Sequence, residues 1–122
     1  MKLHLTKAAD QNIFTGYGEG YVAINNQRFE HNVLVMPGRD ITRWDPAGFD
    51  ALAIADFSAL LALQPEIVIL GTGDTLRFPK PELTRPLAAA HVGFEAMDTK
   101  AACRTYNVLV AEGRQVVAAI LV

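Results

Sequence analysis

The chain has 122 residues, of which 51% are hydrophobic and 20% charged. These are globular values that exclude disorder as a description of the whole, and the length fits a single domain over residues 1–122. Folding at this size can bury roughly two-thirds of the unfolded surface without metal or disulfides. The formal charge is −2 and the eleven basic residues are scattered, so no phosphate-neutralising stripe points to nucleic acid.

Met1-Lys2-Leu3-His4-Leu5-Thr6-Lys7 lacks the apolar core and small-residue cleavage pattern of a signal peptide and is too poor in arginine for a transit peptide. Residues 13–37 read as β structure. Tyr21-Val22-Ala23-Ile24 is a strand, Asn25-Asn26 a tight turn and Gln27-Arg28-Phe29 the return, because Asn tolerates the left-handed angles of a hairpin. Gly16, Gly18 and Gly20 lie ahead of it. With no helix following, they read as a bend or bulge and not as a phosphate loop. Val33-Leu34-Val35-Met36 is a further strand, closed by Pro37-Gly38, and Trp44-Asp45-Pro46 is an irregular connection.

Asp56 to Leu63 forms a short amphipathic helix, with Phe57, Leu60 and Leu61 at helical spacing and Gln64-Pro65 as its stop. The longer apolar stretch from Ala51 to Leu63 is broken by Asp56 and Ser58. It falls short of the roughly 20 apolar residues of a membrane helix, so no membrane insertion is expected. Ile67-Val68-Ile69-Leu70 does not alternate, which implies a strand buried on both faces. A Gly71-Thr72-Gly73 turn follows. Glu82 to Ala90 is a helix and Gly93 to Met97 a strand, parallel to the one before. Asp98 is placed as the N-cap of a helix running to about Ala111, with Gly113 as its left-handed exit. Val116 to Val122 is a final buried strand whose direction stays open. The expected fold class is therefore α/β. It is a single domain with a mixed β-sheet, an antiparallel hairpin region in the first half and β-α-β-α-β in the second.

The Gly71-Thr72-Gly73 turn lies at the carboxyl end of a buried strand, where ligands collect in open α/β sheets. Asp98 and the start of the last helix belong to the same rim. Unpaired helix amides there could hold an anion, with Arg77 and Arg104 supplying charge. The turn is neither a dinucleotide fingerprint, since Leu76 stands three after Gly73, nor a P-loop, since no Gly-Lys-Ser/Thr follows. Its glycines can equally serve only to turn the backbone. Cys103, Tyr106 and Asn107 share one helix face. No histidine is spaced to pair with Cys103, so it reads as a buried structural thiol, and a lone cysteine suits a reducing compartment. Asn107 suggests a buried amide that ties the helix to a loop, with the Gly-Thr-Gly loop as the expected partner. His4, His31 and His91 show no metal-ligand spacing, so no metal is expected. No pair of carboxylates stands out, and Glu95 sits on the short strand facing another layer or the rim.

Several segments together resemble a known family. They are Ile69-Leu70-Gly71-Thr72-Gly73, Arg77-Phe78-Pro79, Glu95-Ala96-Met97-Asp98-Thr99 and Ala101-Ala102-Cys103-Arg104-Thr105-Tyr106-Asn107-Val108-Leu109. The combination resembles the small uncharacterised α/β domain family that includes mitochondrial complex I assembly factor 3 and bacterial and archaeal single-domain relatives. The resemblance implies a three-layer α/β fold with a central mixed sheet and no established enzymatic activity. For the mitochondrial relative it implies an assembly role through protein contacts. The shared residues Gly71, Thr72, Gly73, Arg104, Tyr106 and Asn107 are compatible with a pocket, but no catalytic residue or cofactor is carried over. Two functions follow as expectations for a cytoplasmic protein. One is a non-enzymatic interaction or assembly protein with protein partners, which predicts an exposed apolar patch. The alternative is a small anionic metabolite held at the rim formed by Gly71, Thr72, Gly73, Arg77, Asp98, Arg104, Tyr106 and Asn107.

Overall fold

The computed structural model describes residues 11–122. The N-terminal segment and His4 lie outside the described residues. Alternating apolar segments at the start form a three-stranded antiparallel meander: β1 (Phe14–Gly18), β2 (Tyr21–Ile24) and β3 (Gln27–Phe29). Asn25 and Asn26 join β2 to β3 at φ 53° and 67°, the left-handed pair that matches strand twist in a tight hairpin. The register of β1 against β2 slips between Phe14 and Gly16, so the expected bulge is present.

The remaining strands are β4 (Val33–Val35), β5 (Thr42–Arg43), β6 (Ile67–Thr72), β7 (Gly93–Met97) and β8 (Val116–Leu121), which form one sheet in the order β5-β4-β8-β6-β7. Strand β6 runs parallel to both β7 and β8, and β4 is antiparallel to β8 and to β5. The sheet is thus mixed, and the direction of the last strand is settled as parallel to β6. The central strands β6 and β8 are buried along almost their whole length. Ile69, Val116, Ala118 and Ile120 face one core, and Val68, Leu70, Val117, Ala119 and Leu121 face the other.

Three helices complete the layers: α1 (Ile54–Ser58), α2 (Pro81–Ala89) and α3 (Thr99–Ala111). Helix α3 and the meander cover the first core, where Phe14, Val22 and Ile24 meet Cys103 and Tyr106. Helices α1 and α2 cover the second, with Trp44, Phe57, Leu60 and Leu87 inside it. The result is a three-layer α/β domain with a central mixed sheet. The helix expected over Asp56 to Leu63 begins earlier and tightens into a 3-10 turn over Ala59–Leu63. Asp56 Oδ2 accepts the Ala53 N–H at 2.8 Å, which fixes the earlier start. The tighter winding keeps Phe57 and Leu60, three residues apart, on the buried face. Gln64 then ends the turn at φ 56°. The next helix starts one residue before its expected position because Pro81 fills its first turn.

Asn107 is the contact that joins α3 to the meander. Its Oδ1 accepts the Phe14 N–H at 2.9 Å and its Nδ2 donates to the Phe14 carbonyl at 2.8 Å. The amide therefore stands in for a neighbouring strand at the free edge of β1. This corrects the expected tie to the Gly-Thr-Gly loop. Asn107 lies eight residues into α3, about 12 Å along the axis from Thr99, and is past that loop. Tyr106, fully buried, packs edge-on against Phe14 at 5.1 Å between ring centroids, and its hydroxyl donates to the Asn12 carbonyl. Asn107→Ala leaves the Phe14 donor and acceptor without partners. It should cost about 1–3 kcal/mol in urea denaturation, whereas a change within about 0.5 kcal/mol would mean that water replaces the amide without loss.

Candidate functional site

The end of β6 and the start of α3 meet at Thr99, a residue not singled out in the sequence. Gly71 and Thr72 are still strand, so the turn begins only at Gly73. Gly73 takes φ 96°, which a side chain would strain. Its N–H donates to Thr99 Oγ1 at 2.9 Å, and its carbonyl accepts the Thr99 N–H at 2.9 Å. The same hydroxyl donates to the Leu121 carbonyl at 2.6 Å. One threonine therefore links the ends of β6 and β8 to the first residue of α3.

Gly71 allows the close approach. A Cβ there would lie 2.9 Å from Ile120 Cδ1, 3.0 Å from Thr99 Oγ1 and 3.3 Å from Ala102 Cβ. Thr72 is also engaged, its hydroxyl donating to the Thr75 carbonyl at 2.7 Å and accepting the Arg77 N–H at 3.2 Å. Asp98 caps α3, its Oδ1 accepting the Ala101 N–H at 2.9 Å. The amides of Thr99 and Ala101 are thus occupied by the chain itself.

The named residues divide among three surfaces and the core. Gly73 and Asp98 line a cleft of about 370 Å³ with Glu19, Asp74 and Lys100. Three carboxylates against one ammonium give this cleft an acidic wall that repels an anion. Arg104 and Asn107 line a separate open cleft beside β1, where the Arg104 guanidinium donates to the Tyr17 hydroxyl at 3.0 Å. Arg104 keeps its proton more firmly than usual, chiefly through that bond. Tyr106 is enclosed in the core, and burial raises its phenol pKa. Arg77 is on a third surface, pairing with Asp50 at 2.7 Å and stacked 4.2 Å over the Phe49 ring.

The remaining reactive groups are also placed. Cys103 is 1% exposed, and burial pushes its thiol up to about 12 against the pull of Arg104. His31 Nδ1 lies 3.1 Å from the Asn32 carbonyl, and Glu95 is exposed on the edge strand β7. Among the described residues no group of three or more His, Cys, Asp or Glu could hold a metal ion. No described helix is long and apolar enough to cross a membrane.

The same turn presents an apolar surface. Thr72 holds the loop from inside and the Arg77–Asp50 pair holds it from outside. On either side of the held Arg77, Leu76 is 46% and Phe78 74% exposed. The sequence carries a signal for it, since two large apolar residues flank a basic one just ahead of Pro79.

Replacing Thr99 with Val keeps the shape and removes the hydroxyl, which should cost about 2–4 kcal/mol because the Gly73 and Leu121 groups lose their partner. Thr99→Ser keeps both bonds and should cost only ~1 kcal/mol for the lost methyl. Equal losses in the two variants would refute the hydroxyl's role. For Cys103, a pKa of about 12 leaves about a thousandfold less thiolate at neutral pH than an ordinary thiol. An aromatic disulfide reagent should label it at a rate set by unfolding, and rapid labelling of the native protein would show the thiol to be open.

Comparison with known proteins places this architecture. The chain is 31% identical over 104 residues to NADH dehydrogenase [ubiquinone] 1 alpha subcomplex assembly factor 3 of Bos taurus, covering 84% of this chain and 55% of that protein. It spans about half the length of that assembly factor. It is 30% identical over 105 residues to the 13 kDa major membrane protein of Francisella tularensis, with 84% and 85% covered. A crystal structure of a Bordetella parapertussis protein superposes with a TM-score of 0.87 at 41% identity, covering 91% of this chain and 95% of that one. A family model matches residues 14–121, and the chain accordingly belongs to the family described as protein of unknown function (DUF498/DUF598).

Proposed function

We propose that this chain is a non-enzymatic interaction protein that works through protein contacts, with the Leu76–Phe78 loop as its contact surface. The observation that carries the reading is the 74% exposure of Phe78 and the 46% exposure of Leu76, which flank an Arg77 held through both its backbone and its side chain. A large aromatic side chain in water is costly. Displaying it on an already ordered loop lowers the entropy lost on binding.

The chemistry elsewhere agrees with a binding role. Cys103 is enclosed, the amides of Gly73 and Thr99 are spent within the fold, and the Gly73 cleft is acidic. This favours protein contact over the small-anion alternative. The bovine relative is named as an assembly factor of NADH dehydrogenase. An assembly role named for that relative is in keeping with a protein-contact surface on this chain.

The double variant Leu76→Ser/Phe78→Ser tests it. Its side chains are exposed, so its stability should stay within about 0.5 kcal/mol of the parent. Capture from native lysate at low salt should recover a stoichiometric protein with the parent chain and lose it with the variant. Recovery of the same protein in equal amount with both would contradict the assignment of this loop.

A further inference from the structure

Among the described residues the meander ends in a free edge. Strand β1 is terminal in the order β1-β2-β3 and pairs on one side only. An edge strand presents backbone N–H and C=O groups on which another chain can pair. At Phe14 those groups are already used. Asn107 accepts the Phe14 N–H and donates to the Phe14 carbonyl, the two bonds that a neighbouring strand would make. Along Thr15, Gly16 and Tyr17 the edge borders a cleft of about 340 Å³, which Cys103 and Arg104 of α3 line from the other side.

Two features of this cleft point to a ligand. The first is Arg104. Arg28, Arg77 and Arg114 each pair with a carboxylate. Among the described residues Arg104 has a phenol in that place, donating through Nη1 to the Tyr17 hydroxyl at 3.0 Å. Asp98, at the start of the same helix, is committed to the Ala101 N–H. A guanidinium carries five donors in a fork that matches a carboxylate, and the Tyr17 bond holds that fork beside the cleft while using one of them. The second feature is Gly16. It lies inside β1, its φ is not left-handed, and a Cβ there would meet Ala23 Cβ at 3.6 Å, an ordinary contact. Neither backbone angle nor crowding requires glycine at this position. Such a glycine leaves bare backbone where another chain can approach.

We propose that an extended segment of a partner protein docks in this cleft beside β1, continuing the strand-like contact that Asn107 begins, with an Asp or Glu side chain seated on Arg104. Strand addition supplies backbone bonds that any sequence can make, and the side-chain contact supplies the selectivity. The charge of Arg104 sets its sign, because a basic segment meets repulsion there and a neutral one leaves the fork without a carboxylate. The cleft shares no residue with the Leu76–Phe78 loop, so either assignment can fail without the other.

A display library of random peptides tests it, depleted on the Arg104→Gln variant and then selected on the parent 122-residue chain. Arg104 is exposed, so the variant should keep the parent fold and amide spectrum away from the cleft. The enriched peptides should carry Asp or Glu at one fixed position, and changing that residue to its amide should weaken binding about tenfold. On the labelled parent such a peptide should shift the amide signals of Gly16 and Tyr17, and it should bind the Leu76→Ser/Phe78→Ser variant as tightly as the parent. Failure to enrich any peptide, enrichment without an acidic position, or shifts confined to other surfaces overturns the proposal. Sodium acetate giving the same shifts at the peptide's concentration overturns it in favour of a small anion. A parent chain that is dimeric where Arg104→Gln is monomeric overturns it in favour of a second copy as the occupant.

Discussion

The hydroxyl of Thr99 accepts from Gly73 at the end of β6 and donates to Leu121 at the end of β8. Every later placement in the fold follows from that junction. It sets the first residue of α3 directly over two parallel strand ends, and Gly71 supplies the missing Cβ that lets the helix come so near. Asp98 completes the helix start by capping Ala101. With its origin fixed, α3 runs across the sheet and brings Tyr106 and Asn107 to β1. The meander, which among the described residues forms no ladder with the main sheet, is held by those side chains and by the core they share.

The same junction governs what the Gly-Thr-Gly segment can do. In nucleotide loops the glycine-rich turn leaves its amides open to phosphate. Here the Gly73 amide is given to Thr99, and the Thr72 hydroxyl to its own loop. The polar atoms are consumed in holding the backbone. What the turn leaves exposed is the apolar pair Leu76 and Phe78. The arginines of the rim are not pooled: Arg77 serves the anchor to Asp50, and Arg104 lies beside Tyr17.

Much of the architecture was legible because it depends on local signals. Unbroken apolar runs marked β6 and β8, the Asn25-Asn26 pair marked a hairpin, and Asp98 marked a helix start. The meander's bulge followed from clustered glycines. The direction of β8 was not legible, since a short connection after α3 permits either sense and only pairing decides. The site was less legible for a related reason. Thr99 acts through residues 26 and 22 positions away, and Asn107 acts on Phe14, 93 positions away. Nothing local distinguishes a threonine that bridges two strands from one that merely begins a helix. Grouping by motif likewise placed Arg77, Asp98 and Arg104 on one rim. Helix rise and loop anchoring put them on three surfaces.

Amide hydrogen exchange at Gly73 tests the junction most directly. A Gly73 N–H held by Thr99 opens only with the larger unit that contains β6, β8 and α3. It should exchange as slowly as the amide of Ile69 in the middle of β6 and far more slowly than that of Thr75 in the loop beyond. Exchange of Gly73 at the rate of Thr75 would contradict the account, because it would leave the Gly-Thr-Gly amide free to serve a ligand.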